Sequence, residues 1–362
     1  MATVDILLPV KNGVEFLAES LDSVVNQTYK DWRLLVLDHG SSDGTVELVA
    51  KYGERDPRIE LYSFPDAVGL SGLLNRGMEL CDCKYLMRQD ADDNSFPNRI
   101  DVTLDAFKEQ PGCVAIGGQA DRINTAGELT GRISMPVGRS RFAAASLFRS
   151  PMLHSSAILD FGQVQKLGVR YGTDFINVLP EDKRISVTSL AEDYFMFGQL
   201  GILGKCTNVP ELVMQYRWHS SNVSIRHFAE QMEISLAVSR YLAKSFCEIH
   251  KYPYIDPAPF CNHGGMLFNV ENETDFATDF DQMSNMLKQV WGDSSEIERE
   301  LTYRKVTATR NKFLLLWRYY QFQSRHIPEI GEWNAVRAWL LRAFPGKGKW
   351  KRSKYALREA MA

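Results

Sequence analysis

No CxxC pair and no regular cysteine framework occurs in this chain, whose six cysteines stand at 81, 83, 113, 206, 247 and 261. Cys81 and Cys83 are one residue apart, which suits neither a zinc ribbon nor a thioredoxin-like site. Reduced thiols in a reducing compartment are the simpler expectation. No run of about 20 apolar residues is present to span a membrane. The opening MATVDILLPVKNG lacks the basic region and long apolar core of a secretory leader, so a cytoplasmic place is expected. There is no GxGxxG after the first apolar run and no GxxxxGK[ST], which disfavours a dinucleotide-binding Rossmann domain and a P-loop. The glycine-rich, lysine-bearing loop of sugar nucleotidyltransferases is missing too. A net charge of −3 gives no global reason to expect nucleic acid.

What is present is ordinary globular composition, 44% hydrophobic and 24% charged. At 362 residues the default is one large domain with an appendage. Val4 to Val10 reads as a buried strand, and Val14 to Gln27 carries apolar residues at helical spacing. Strands over 32–38, 59–64 and 85–88 then alternate with helices over 46–52 and 69–80, which predicts an α/β domain with a parallel sheet. Next come a helix over 99–108, a strand over 114–118, a hairpin at the sheet edge within 121–138, and a helix over 142–149. Pro151 to Leu159 reads as a strand carrying His154, Tyr171 to Ser189 as a mobile loop, 191–201 as a helix and 206–216 as a last strand. From 229 onward the pattern turns helical, with stretches at 231–250, 275–290 and 295–322.

The densest chemistry lies in Leu86 to Arg99, LMRQDADDNSFPNR. Asp90, Asp92 and Asp93 fall where a buried strand ends, and like charges this close raise one another's pKa values. Oxygen ligands of this kind suit Mg2+ or Mn2+; the bland alternative is a solvated acidic turn. In parallel sheets ligands bind beyond the carboxyl ends of the strands, where Pro9 to Asn12, Asp38 to Ser42 and Asp90 to Asp93 converge.

Six stretches in order, LLPVKNG, LDHGSSDGT, GLSGLLNRGM, MRQDADDNSFPNR, LAEDYFMFGQLG and YRWHSSNVS, resemble the family 2 glycosyltransferases over residues 3 to 225. The resemblance implies a GT-A fold, Rossmann-like with a mixed, mostly parallel sheet flanked by helices. It implies an inverting, metal-dependent enzyme using a nucleotide-diphosphate sugar, UDP favoured, and Mn2+ or Mg2+. Residues 1–228 would form the catalytic domain and 229–362 a helical extension. Carried over by position, Pro9, Val10, Asn12, Asp38, Asn75, Arg88, Asp90, Asp92, Arg217 and His219 would bind the nucleotide sugar, Asp38 accepting from a uracil-like base. Asp92 and Asp93 would hold the metal, with Asp90 ordering the loop. His39 departs from the family, where a second Asp is commoner.

Asp193 matches the catalytic base. Glu192 would support the acceptor or cap its helix, and His154 would touch the acceptor or sit as a satisfied rim histidine. Asp43 either caps the helix near Thr45 or meets ligand, and Arg217 either holds diphosphate or pairs with a structural carboxylate. QYRW at 215–218 falls one residue short of the QxxRW of processive relatives, so single transfer to a glycan acceptor is expected. A polyprenyl-phosphate sugar synthase or a non-catalytic sugar-nucleotide-binding protein are the alternatives.

From Arg337 to Arg358 there are eight Lys or Arg residues and no Asp or Glu. With Trp333, Val336, Trp339, Leu340 and Phe344 on one helical side, this segment suits an anionic membrane surface at the cytoplasmic face. A helical cap with a solvated basic end is the alternative.

Overall fold

The computed structural model describes residues 2–219, 227–261, 277–309 and 311–329, with 332, 333, 336, 337 and 340 beyond them. Residues 220–224 of YRWHSSNVS and most of the basic segment 337–358, with Trp339 and Phe344, lie outside the described residues.

Strand β1 (Val4–Val10) is buried at all seven positions because helices cover both faces of its sheet. Val4, Ile6 and Leu8 share one core with Leu34 and Val36 of β2 (Trp32–Asp38) and with Leu17 and Leu21 of α1 (Val14–Val25). Leu7, Leu35 and Leu37 point the other way, onto Leu73 and Leu74 of α3 (Gly69–Leu80). The period of two along each strand thus divides the core into two layers. Helix α2 (Thr45–Arg55), β3 (Ile59–Ser63) and β4 (Tyr85–Arg88) complete a parallel block ordered β3-β2-β1-β4.

Beyond β4 the sheet becomes mixed. Its order continues through β8 (Ile158–Asp160), β6 (Ala115–Ile123), β9 (Cys206–Arg217) and β5 (Asn94–Ser95), with β7 (Leu129–Ile133) paired to β6. β8 runs antiparallel to β4 and β6, whereas β9 runs parallel to β6. The carboxyl ends of β1, β2, β4 and β9 therefore share one edge of the sheet with the residues that enter β8.

The expected hairpin forms from the end of β6 and β7, in line beyond the short β8; among the described residues β7 pairs with β6 alone and so stands at a sheet edge. Residues 151–159 do not form one strand. His154–Ser156 is a single 3₁₀ turn ahead of the three-residue β8. At Gly117 and Gly118 the β6–β9 register shifts, and a Cβ on Gly118 would stand 2.7 Å from both γ carbons of Val213. Val213 is β-branched and buried, so Gly118→Ala is expected to cost about 1–3 kcal/mol in urea unfolding through overpacking.

Helices α4 (Arg99–Glu109), α5 (Arg139–Ser146), α6 (Phe161–Lys166) and α7 (Glu192–Ile202) pack around this sheet. The C-terminal helices are α8 (Phe228–His250), α9 (Ala277–Trp291), α10 (Ser295–Thr307) and α11 (Lys312–Arg325). The single helix expected over 295–322 is two, because the Asn311 side chain accepts from the Leu314 N–H at 3.1 Å and starts a new helix. Tyr194 and Phe195 of α7 share one hydrophobic core with Leu242 and Phe246 of α8, Met283 of α9 and Leu301 of α10. Gly198 of α7 faces Leu242 and lets α8 approach closely.

Candidate active site

The acidic turn after β4 is anchored from below. Arg99, buried at the start of α4, donates to the Arg88 carbonyl at 2.7 Å and the Ser155 carbonyl at 2.6 Å, and to the Gln89 side chain at 2.9 Å. Gln89 in turn donates to the Asp93 carbonyl at 2.7 Å. Asp93 is only 1% exposed. Its Oδ2 accepts from Ser155 Oγ at 2.6 Å and its Oδ1 from the Arg217 N–H at 2.8 Å. Burial, then the charges of Asp90 and Asp92, push its carboxyl well above the usual range. Asp93, expected as a metal ligand, is here the buried tie between the turn, the 3₁₀ turn and the end of β9.

Asp90 and Asp92 open instead on a cleft of about 580 Å³. Arg88 lies buried behind Asp90 and donates to its Oδ1 at 2.6 Å. Burial alone would raise the Asp90 carboxyl, but Arg88, and after it His154, hold it below its ordinary value. Asp92 Oδ2 lies 2.9 Å from Nε2 of His219, which also lines the cleft. Burial thus sets Asp90 and Asp92, and not Asp93, in the wall of the cleft.

Arg217 also departs from its expected place. It is fully buried, donating to Glu19 Oε2 at 2.6 Å and the Asp92 carbonyl at 2.9 Å, with further bonds to the carbonyls of Asn124 and Thr125. Its guanidinium lies 4.6 Å from the Phe16 ring centre. The structural-carboxylate alternative describes this residue. Asn75 likewise spends its amide on Tyr171, accepting from the N–H and donating to the carbonyl, both at 3.0 Å. The Tyr171 hydroxyl meets His154 Nε2 at 2.9 Å. The start of the 171–189 stretch is therefore tied to α3 through Tyr171, and the Val187 N–H closes back on the Gly172 carbonyl at 3.0 Å.

The first two strand ends are stitched together. Asn12, at φ 53°, donates its N–H to Ser41 Oγ at 2.9 Å and accepts from the Ser42 N–H at 2.8 Å. Pro9 and Val10 are buried in β1. Asp38 is buried and accepts from the N–H groups of Gly40 and Ser41 at 3.0 and 3.1 Å, an Asx-type turn. Asp43 accepts from Thr45 N and Val14 N, both at 3.1 Å, serving the starts of α2 and α1. His39 Nε2 meets the Ala67 carbonyl at 2.8 Å.

Across the cleft stand Glu192 and Asp193, in the first turn of α7. Burial pushes the Asp193 carboxyl up to about 6, against the nearby backbone N–H groups. Burial and then Asp193 push Glu192 to about 7. Glu192 is 6% exposed and its Oε2 has no hydrogen-bond partner among the described residues. His154 lines the same cleft, and burial and then Arg88 lower it to about 3, so its imidazole is neutral at pH 7. A general base with a pKa near neutrality, facing carboxylates that suit a hard cation, is equipped to deprotonate a hydroxyl beside a departing anion.

Sequence reasoning missed Tyr171, Ser155 and Gln231. Gln231 reaches the cleft from α8, and no local signal marks it. Among the described residues the one set of three His, Cys, Asp or Glu whose ligand atoms all lie within 4.8 Å of one another is Asp5 with Cys81 and Cys83, where β1 and β4 begin, away from the cleft. Asp5 is already held there by Arg33 at 2.9 Å and by the Asp82 N–H at 3.2 Å.

Residues 5–158 match the family model Glycosyl transferase family 2. An uncharacterized glycosyltransferase of Haemophilus influenzae is 26% identical over 66% of this chain and 72% of its own length. The putative glycosyltransferase EpsE of Bacillus subtilis is 34% identical over 30% of this chain and 38% of its own. The crystal structure of S. aureus TarS 1–349 superposes with a TM-score of 0.50 at 13% identity, covering 96% of this chain and 93% of that one, a likeness of fold. Over residues 5–158 the chain is thus similar to glycosyl transferase family 2, and its sheet architecture is of the GT-A type.

Proposed function

We propose that the protein is an inverting, metal-dependent transferase that moves one sugar from a UDP-linked donor to a hydroxyl of a glycan acceptor. One observation carries this reading: Asp193, with a pKa raised to about 6, faces the same cleft as Asp90, Asp92 and His219. In the reaction Asp193 takes the proton of the acceptor hydroxyl as its oxygen attacks the anomeric carbon from the face opposite the nucleotide, and the bond to the diphosphate breaks. The turn around Pro9, Val10 and Asn12 and the loop capped by Asp38 are proposed to receive the nucleoside. Neutral His154 and the open Glu192 Oε2 are proposed to meet acceptor hydroxyls.

Two half-exposed carboxylates with an imidazole 2.9 Å from one of them suit Mn2+ or Mg2+. Asp92, with Asp90 and His219, would hold the ion. Such an ion neutralises charge on the leaving diphosphate as a Lewis acid. The reading extends to a lipid-linked or surface-polysaccharide acceptor and to peripheral placement at a membrane, to which the basic segment 337–358 contributes charge.

The test is titration of UDP and GDP with and without Mn2+, followed by UDP release from a panel of UDP-sugars. UDP is expected to bind in a metal-dependent way, and Asp92→Ala to weaken that binding by about 10–100-fold. Metal-independent binding, or a preference for GDP, would remove the donor half of the reading.

A further inference from the structure

The cleft carries more negative charge than the proposed transfer needs. Asp90 and Asp92 line it on one side, with Glu192 and Asp193 across from them. Its basic side chains among the described residues are the imidazoles of His154 and His219. His219 already lies 2.9 Å from Asp92, and Arg88 is buried behind Asp90. A helix start can hold an anion on its N–H groups, but at α7 the N–H groups of Asp193 and Tyr194 hold the Asp193 carboxylate itself. One carboxylate suffices as base, so Glu192 is left over, 6% exposed and with Oε2 unpartnered among the described residues. A buried acceptor atom without a donor is costly, and a donor on a bound molecule removes that cost.

We propose that the cleft selects its acceptor by charge: the ring whose hydroxyl reacts belongs to a neutral or amino sugar, and a ring bearing a carboxylate or a phosphate is refused. An ammonium group beside Glu192 donates to the open oxygen and pairs with its charge, the stronger kind of hydrogen bond. A hydroxyl or an amide N–H donates without the pairing. A uronate or a sugar phosphate brings its anionic oxygens without a donor and sets a further negative charge beside Glu192 and Asp193, where like charges disfavour one another. The inference rests on the transferase reading and narrows its acceptor. It concerns the ring inside the cleft, and leaves charge elsewhere on a longer acceptor unconstrained.

The test is ligand-observed NMR of the full chain with UDP and Mg2+, titrated with the methyl glycosides of glucose, glucosamine and glucuronic acid and of their galacto counterparts. UDP binding is measured first on the same sample. The amino sugar is expected to bind tightest and the uronate at least about tenfold more weakly. In Glu192→Gln, with its melting temperature unchanged, that order is expected to collapse, which separates Glu192 from the negative charge of the chain as a whole. A uronate that binds as well as the neutral ring, an order that survives in Glu192→Gln, or no binding by any ring would each overturn the proposal. Loss of metal-dependent UDP binding would overturn the transferase reading, and this inference with it. UDP binding with no order among the rings falls on this inference alone.

Discussion

Replacing Asp193 with Asn is expected to lower kcat for glycosyl transfer by about 10²–10⁴-fold, the usual contribution of a positioned general base. Asn keeps the size of the side chain at the start of α7, so the melting temperature and the affinity for UDP should stay close to wild type. The pH profile supplies an independent check. A protonated carboxyl cannot accept a proton, so with the Asp193 carboxyl raised to about 6 the wild-type kcat/KM should fall as pH drops through that value. Glu192, raised to about 7 beside it, titrates together with Asp193, and the limb belongs to the pair. A loss of less than about tenfold in the Asn variant would count against Asp193 as base. It would favour an acceptor that arrives already ionised, such as a lipid phosphate.

The largest effect on stability is expected at Glu300, where α10 meets α5. Its carboxylate is buried against Arg304 at 2.6 Å, Arg141 at 3.2 Å and Arg149 at 3.7 Å. Glu300→Gln keeps the volume and removes the one charge shared by three guanidinium groups. Removing one side of such a buried arrangement typically costs about 3–5 kcal/mol, to be read from urea unfolding at pH 7. The pH dependence has a definite sign. Burial alone would raise the Glu300 carboxyl, but the three arginines outweigh it and hold the folded-state value far below the ordinary one. A depressed carboxylate contributes stability above its unfolded pKa of about 4.3. That contribution is lost as pH falls from there toward the folded value. The difference between wild type and Glu300→Gln should therefore narrow below about pH 4.

The first half of the fold is legible in the sequence because each element there carries its own period. Val4 to Val10 is apolar at every position but Asp5 since it is buried on both faces, and Leu73, Leu74 and Met78 mark one side of α3 without reference to anything distant. Where the sequence misleads, distant partners decide. PMLHSSAIL has the composition of a strand, yet Ser155 is drawn into a turn by Arg99 and by Asp93, 56 and 62 residues away. The same holds at the site. The sequence places three carboxylates at the end of β4, but which of them faces the cleft is set by the Arg217 N–H, 124 residues on. Arg88 and Asn75 look like ligand contacts in a motif, and the partners they bond here, Asp90 and Tyr171, are visible only in the structure. Asn311, a helix-starting residue, was a local signal for the break before α11, hidden by the apolar run that follows it.

The core shared by α7 through α10 also bears on how such an enzyme can diverge or be re-engineered. With Leu242 seated against Gly198, and Glu300 of α10 bonded to Arg141 of α5, the C-terminal helices are no interchangeable cartridge. Grafting another helical region onto residues 1–228 would mean recutting α5 and α7, and with them the mounting of Asp193. The hairpin tip at 124–128 is held by its own Asn124, whose side chain accepts from the N–H groups of Ala126 and Glu128 at 2.9 and 3.0 Å, and by buried Arg217, which donates to the carbonyls of Asn124 and Thr125. The side chains of 125–128 are exposed, so substitutions there that keep Asn124 meet little resistance from the core, unlike changes in the helices that close the fold.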